Sequence, residues 1–436
     1  VTAPARRIFT SWGGLSAEGS RAVPAGEWLA AGSGRAGPIL AYGNGRSYGD
    51  SCLLDGGALI DTSGLSDIAR IDAASGVIEC GPGALLGDII AAALPQGWFV
   101  PVTPGTRFVT IAGALANDVH GKNHHSAGAF GRHVLWFDLA RSDGAMLRCS
   151  PHENAELFAA TVGGLGLTGL ITRVALQLLK VRGPFMRQDV LPFANLDGFF
   201  DITARSDASH DYTVAWIDSL ATGAALGRGV FFRANHADEP GAVPPTRMLP
   251  FLPFTPPFAL INRLTLSAFN AAYRTANGRA QSGRLVPLMP FFYPLDAVKG
   301  WNRAYGPRGL RQFQCVVPMA AAAEAVAEML RATHRAGDAS FLTVLKLFGD
   351  LASPGLMSFP MPGATLTLDF PYRGARTDAL LARLDRITLE AGGRVNPYKD
   401  ARMSAGTFEA SFPHWRAFSR HVDPAFSSSF WRRVTG

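Results

Sequence analysis

From about residue 38 to residue 180, short apolar runs alternate with glycine turns and stretches of helical spacing. A brief apolar run bounded by turn formers reads as a buried strand, which predicts strands over 38–42 (PILAY), 58–61 and 170–179. Residues 71–80 read as two short strands around the turn Ala74-Ser75-Gly76. Apolar positions three and four apart predict helices over 84–94, ended by Pro95, over 110–117 after a Pro-Gly turn, and over 153–161. Arg182-Gly183-Pro184 marks a crossing, and the pattern then changes. Strands follow at 211–217, 230–232, 342–348 and 364–370, with helices at 320–336 and 378–391. Residues 240–261 instead collect prolines among Phe, Leu and Met with little charge, and 264–269 continue them as an apolar surface loop. The chain has no internal repeat.

Composition narrows the class. A chain of 436 residues, 47% hydrophobic and 17% charged, has length for two or three domains and is too apolar for a disordered one. No apolar run reaches the roughly 18 residues that a membrane-spanning helix needs. Residues 1–14 carry Arg6 and Arg7 with no apolar segment behind them, so no signal peptide is read there. Cys52, Cys80, Cys149 and Cys315 form no CxxC pair, which argues against a zinc site or a disulfide framework and suits a reducing, cytoplasmic setting. The net charge of +7 is spread among acids along the chain, so nucleic acid is not an expected partner and a small phosphate-bearing ligand is. Only five of the 41 basic residues are lysine: Lys122, Lys180, Lys299, Lys346 and Lys399. Arginine is the default surface cation here, and lysine, unlike arginine, becomes a base when burial depresses its pKa.

Four motifs carry candidate chemistry. The loop Gly43-Asn44-Gly45-Arg46-Ser47-Tyr48-Gly49-Asp50 follows a predicted strand and is either a tight turn or a backbone nest for a pyrophosphate. Pro101–Gly105 (PVTPG) leads into Thr110-Ile111-Ala112-Gly113-Ala114, where small residues allow a flat or phosphorylated ligand to approach. His120, His124, His125 and His133 cluster without the Glu or Cys of a usual coordination set, so polar lining of a ligand mouth is expected and a metal is not. Gly164 to Gly169 (GLGLTG) matches GxGxxG, but a helix precedes it and a strand follows. That order is the reverse of a dinucleotide fingerprint, so a helix-to-strand turn is expected.

The segments GNGRSYGD and PVTPGTRFVTIAGALANDVHGKNHHSAGAFG resemble the FAD-binding module of the vanillyl-alcohol-oxidase (VAO)/PCMH-type flavoproteins. Within that superfamily the resemblance is to flavoprotein oxidases of polyprenylphosphoryl-ribose 2′-epimerisation. It continues through ELFAATVGGLGLTG, WNRAYGPRGLRQFQCVVP, SFLTVLKLFG, FPMPG, LDFP and YKDAR, thinning between about 183 and 290. It implies an α+β, two-domain VAO/PCMH-type FAD-binding fold. An FAD domain would comprise 1–181 with 394–436 returning to it, and a substrate domain of mixed or antiparallel sheet plus helices would be inserted at 182–393. It also implies FAD contacts from Gly43, Asn44, Gly45, Arg46, Ser47, Tyr48, Gly105, Thr110, Ile111, Ala112, Gly113, Asn117, His120, Ile171 and Asn396, the last standing where family members have a tyrosine. Arg46 falls where covalent members carry the histidine that attaches to the flavin, so the FAD would be non-covalent.

For the chemistry, the resemblance implies Lys399 as the residue that orients and deprotonates the hydroxyl, with Tyr48 and His120 as further acid/base candidates. Lys399 could instead pair with Asp400 or face the flavin. Lys122 and Lys346 would clamp a phosphodiester, while Gln312, Gln314, Thr365 and Thr367 would lie around the sugar. Thr367 stands where mycobacterial members carry a cysteine that nitroaromatic inhibitors capture. Trp216, Tyr293 and Phe348 would wall the pocket, or serve as core. The apolar stretch 240–261 would meet a polyprenyl tail or the inner membrane peripherally, or form an internal plug. Three functions remain open at this point: oxidation of a lipid-linked phosphopentose with an NAD(P)H-dependent keto-reductase as partner, an alditol or aldonolactone oxidase using dioxygen, and flavin binding without turnover. Lys122, Lys346 and the apolar stretch favour the first.

Overall fold

The structure, a computed structural model, describes residues 8–32, 37–244 and 252–436. Besides a two-stranded pairing of Trp98–Phe99 with Leu179–Lys180, two small sheets come from the first half of the chain. Strands Arg21–Pro24, Ala58–Asp61 and Ile39–Tyr42 form a parallel sheet in that order, and the loop bearing the GNGRSYGD motif leaves the end of Ile39–Tyr42. The second is antiparallel, in the order Ile68–Ile71, Val77–Cys80, Leu170–Gln177, Val134–Ala140, Met146–Cys149. Helices Leu86–Ala93, Ile111–Ala116 and Ala155–Thr161 pack beside it, close to their expected spans. The GLGLTG segment is the expected helix-to-strand turn, with Leu165, Gly166 and Gly169 at positive φ.

From Phe185 onward the chain builds one antiparallel sheet of eight strands. Their order is Gln281–Pro287, Phe185–Phe193, Gly229–His236, Tyr212–Ile217, Val344–Phe348, Gly363–Pro371, Leu310–Val317 and Arg394–Val395. Side chains alternate across a strand. In Gly363–Pro371 the alternation sends Leu366, Leu368 and Phe370 into a core beneath helices Met319–Arg335 and Ala375–Glu390. Thr365, Thr367 and Asp369 take the opposite face, where register sets them against Lys346, Gln314 and Gln312. The first-half sheets cover this polar face. A polar stripe that is covered by protein needs partners, whether protein or ligand.

The chain's end returns to its beginning. Ser427 N–H donates to Ile39 O at 2.9 Å, and the Asp423 carboxylate accepts from Ser142 N–H at 2.8 Å. The apolar loop expected at 264–269 is instead part of a helix, Arg263–Asn277. Its amphipathic face buries only Leu266 and Asn270, too sparse a pattern to stand out in sequence, while a capping box between Asn262 and Thr265 starts it. Phe251 and residues 245–250 of the proline-rich stretch lie outside the described residues. Phe254, Phe258 and Leu264 beyond them are 67%, 66% and 81% exposed, so these three plug no interior. Among the described residues, no helix is long and apolar enough to cross a membrane.

Candidate active site

One cavity of about 1220 Å³ lies between the first-half sheets and the polar face of the eight-stranded sheet. Its first wall is the glycine loop. Gly45 has φ +58°, and a Cβ there would lie 2.2 Å from Tyr42 Oη. Gly49 lets the loop touch the segment around Lys399, since a Cβ would lie 1.7 Å from Asp400 O. The same contact is sealed by Tyr48 N–H donating to Tyr398 O at 3.0 Å. Thr110 caps helix Ile111–Ala116 by accepting from Gly113 N–H at 3.1 Å, and Asn117 at its other end also reaches the cavity. Arg46 stacks 4.4 Å from Trp12 and 5.4 Å from Phe108. Arg46 Nε and Ser51 Oγ are buried on this wall without a hydrogen-bond partner in the protein. Unused polar atoms in a glycine-lined cavity of this size suit a large ligand that carries phosphates and ribityl hydroxyls, and these residues fit FAD.

The cavity also concentrates the lysines. Lys122, Lys299, Lys346 and Lys399, four of the five in the chain, line this cavity. Lys399 Nζ lies 4.1 Å from the Tyr48 ring centroid. Burial lowers Lys399 to about 8, against the attraction of the Asp369 carboxylate. Asp369 in turn is pushed up to about 7 by burial, opposed by Lys399 and by Gln312, whose Nε2 donates to its Oδ1 at 2.5 Å. The expected alternative, a Lys399–Asp400 ion pair, is not formed: Asp400 accepts from the backbone N–H groups of Arg402 and Met403. Burial, with Asp369 close by, holds the Tyr48 phenol well above its usual range, so it stays protonated. Lys122 sits in an aromatic cage, 4.3 Å from the Phe291 ring, and donates to Phe291 O. Burial alone lowers it to about 7.

His120 is set by a turn. Asp118 adopts φ +41°, and its buried carboxylate accepts from Gly131 N–H, Ser353 Oγ and Ser358 Oγ, which fixes the chain entering His120. The ring lies between Gln314 Nε2, 3.0 Å from its Nε2, and Lys346 Nζ, 3.0 Å from its Nδ1. Lys346 also donates to Gly121 O at 2.9 Å, and burial with Lys122 and Lys399 nearby lowers it to about 7. The other histidines diverge: His124 packs on Phe348, His125 contacts His210 O and His133 contacts Ala127 O. Among the described residues no cluster of His, Cys, Asp or Glu could hold a metal.

Not every expected contact reaches the cavity. Gly43, Asn44, Gly45, Arg46, Ser47, Tyr48, Gly105, Thr110, Ala112, Gly113, Asn117, His120 and Ile171 line it, as do Lys122, Trp216, Gln312, Gln314, Lys346, Thr367 and Lys399. Ile111, Asn396, Tyr293, Phe348 and Thr365 stand behind the wall instead. Ile111 belongs to the core, and Tyr293 Oη is spent on Thr103 Oγ1 at 2.6 Å. Phe348 packs against His120, while Thr365 and Asn396 both hydrogen-bond Gln314. Asp369 was not expected. The period-two pattern of Thr365, Thr367 and Asp369 in an otherwise apolar strand is the signal that could have found it.

Comparison with known proteins agrees with this geometry. A family model described as an FAD binding domain matches residues 29–150. The chain is 36% identical over 417 residues to the decaprenylphosphoryl-beta-D-ribose oxidase of Mycolicibacterium smegmatis, covering 91% of this chain and 89% of that one. It is 35% identical over 363 residues to an uncharacterized protein of Streptomyces coelicolor, covering 78% and 97%. A shorter similarity, 29% over 184 residues, reaches cytokinin dehydrogenase 7 of Oryza sativa subsp. japonica, covering 40% and 35%. The chain is therefore an FAD-dependent oxidoreductase with the VAO/PCMH-type fold, and it belongs to the decaprenylphosphoryl-beta-D-ribose oxidase family.

Proposed function

We propose that this protein oxidises the C2′ hydroxyl of a polyprenylphosphoryl-β-D-ribose to the 2′-keto sugar, the first half of an epimerisation to the arabinose form. An NAD(P)H-dependent keto-reductase is the partner that completes it. The observation that carries this reading is the convergence of Lys122, Lys346 and Lys399 on one cavity with the glycine loop. A free polyol needs hydroxyl partners; a glycosyl phosphodiester brings an anion close to the reacting carbon, and that justifies burying several lysines together.

Residues 1–181 and 394–436 form the FAD domain and 182–393 the substrate domain, with the site at their junction. Gly43–Tyr48, Thr110–Gly113 and Asn117 hold FAD, whose chemistry when bound is to accept the hydride from C2′. Lys399, kept cationic by Asp369, orients the hydroxyl and stabilises negative charge that develops beside it. Lys122 receives the phosphodiester, which restores the proton that burial weakens. Gln312 and Thr367 bound the sugar, and Trp216 walls the pocket. Exposed Phe254, Phe258 and Leu264 mark where the prenyl tail or an inner-membrane surface docks. Arg303 ties this apolar segment to the cavity rim by donating to Leu252 O and Pro253 O at 2.7 and 2.9 Å.

Anaerobic titration tests the reading. A lipid-linked phosphoribose should bleach the flavin absorbance stoichiometrically while free alditols leave it unchanged. Equal bleaching by an alditol would transfer the assignment to a free-polyol oxidase.

A further inference from the structure

Hydrogen bonds behind the cavity wall have a fixed direction. The chain of contacts starts at a donor that cannot change role: the backbone N–H of Tyr398, which donates to Asn396 Oδ1 at 3.2 Å. That bond orients the Asn396 amide, so its Nδ2 donates to Gln314 Oε1 at 2.9 Å. Gln314 is thereby oriented too, and its Nε2 is the atom facing His120 Nε2 at 3.0 Å, with Thr365 Oγ1 at 3.2 Å as its second acceptor. An amide nitrogen can only donate, so His120 Nε2 must accept. A neutral imidazole has one acceptor and one donor, and the proton therefore sits on Nδ1. Nδ1 faces Lys346 Nζ at 3.0 Å. An ammonium has three donors and no acceptor, so it would meet that N–H donor to donor. An uncharged amine accepts from Nδ1–H and still donates to Gly121 O at 2.9 Å.

We propose that Lys346 rests as an uncharged amine, held so by the Asn396–Gln314–His120 relay, and that it is the base that takes the proton of the substrate's C2′ hydroxyl. This rests on the functional reading above and divides its labour between two lysines. Lys399 has a carboxylate beside it and an aromatic face under it, which favour the cation. Lys346 lacks a carboxylate among the groups that shift it: it faces His120 and, at 5.6 Å, the Phe348 ring, a weaker aromatic support than the Tyr48 ring at 4.1 Å gives Lys399, with His124, Lys122 and Lys399 as the nearby titratable groups. Burial and the two lysines lower Lys346, in agreement with the hydrogen-bond directions. Two groups of one chemical type, given different neighbours, supply the cation and the base of one reaction. In the step, the single Nζ lone pair turns from His120 Nδ1–H to the hydroxyl, the O–H bond breaks and its proton joins that pair, turning amine into ammonium. The electrons of that bond form the carbonyl π bond as the C2′ hydrogen leaves as hydride to the oxidant that FAD supplies.

The relay is testable on the FAD-loaded protein without substrate. Nitrogen-15 spectra of histidine-labelled holoenzyme, with His120 identified by its loss in His120→Asn, should show the Nδ1–H tautomer. Spectra of lysine labelled at the ε-carbon, with Lys346 identified by its loss in Lys346→Met, should show it titrating near neutrality. In Gln314→Glu the carboxylate accepts the Nε2 proton, so the tautomer reverses and Lys346 keeps its proton to higher pH. The acidic limb of the kcat profile should then move up by about one pH unit, since a nearby charge and its hydrogen bonds shift a buried group on that scale. A merely structural role for Gln314 would lower activity and move neither signal. Lys346→Met should lose about 10²-fold in kcat with KM changed far less. An Nε2–H tautomer in the unsubstituted protein, a Lys346 titration above pH ~9, or an unmoved limb in Gln314→Glu overturns the proposal. Because the spectra need no substrate, their failure is separable from a failure of the lipid-linked ribose to bleach the flavin.

Discussion

Lys122→Met should stabilise the protein in acid and weaken its substrate at the same time. Lys122 is enclosed by Phe291 and Phe292, with Phe291 O as its hydrogen-bond acceptor, and burial lowers it from 10.5 to about 7. At about 1.4 kcal/mol for each pH unit, that depression sets a cost of about 5 kcal/mol on the charged form. Methionine matches the stem and removes the charge, but leaves Phe291 O without its donor, a loss of about 1–3 kcal/mol. The net gain at pH 6 is about 2–4 kcal/mol, a rise in Tm of about 2–4 °C for a chain of this length. The sign follows from linkage. The folded pKa lies below the unfolded one, so the cost is fully present below about 7 and fades as pH rises toward 10.5. Near pH 9.5 only about 1.4 kcal/mol of it remains, and the orphaned carbonyl cancels or reverses the gain. The phosphodiester contact exists in ground and transition states alike, so KM should rise about 10- to 100-fold with kcat held. Thermal unfolding of both FAD-loaded proteins at pH 6 and 9.5, with steady-state kinetics, decides it. Methionine that shifts Tm equally at both pH values, or leaves KM unchanged, refutes the reasoning.

Three further outcomes follow from the same cavity. Asp369→Asn removes the carboxylate that supports Lys399, so flavin reduction at pH 7.5 should fall on the order of 10-fold relative to the unsubstituted protein, and the ratio of the two rates should close as the pH is lowered and Lys399 regains its proton, while both rates fall as Lys346 is protonated; stopped-flow reduction of both proteins across pH reads this directly, and a ratio independent of pH would contradict it. Acid precipitation should release all the FAD, because Arg46 cannot form the bond and burial pushes the nearby Cys52 thiol up to about 12, leaving no thiolate; a yellow pellet would count against this. Thr367 lines the cavity with a hydroxyl that stays protonated, so nitroaromatic inhibitors that capture a cysteine at this position should leave no lasting adduct, and Thr367→Cys should restore one by intact mass.

What could be read from sequence, and what could not, divides by the range of the interaction. The glycine loop, the helix start near Thr110 and the turn at 164–169 are local: each depends on residues a few positions apart, and each was legible. Strand Gly363–Pro371 was legible too, because its apolar residues alternate in an unbroken run. Strand Leu310–Val317 was not anticipated, although Gln312 and Gln314 were, through family resemblance alone. Its glutamines break the apolar run where the sheet turns its polar face to the cavity, so the residues that mark the site also hide the strand. The pairings that assign chemistry are longer still. Asp369 supports Lys399 only because register brings Gln312 and Asp369 together and the last segment of the chain returns over them. His120 and Lys346 are 226 positions apart. Sequence could say that lysine is rare in this chain; it could not say which lysine has a carboxylate and which has a histidine. That difference in neighbours separates the cation from the base, and it is fixed by sheet register together with one backbone N–H, that of Tyr398.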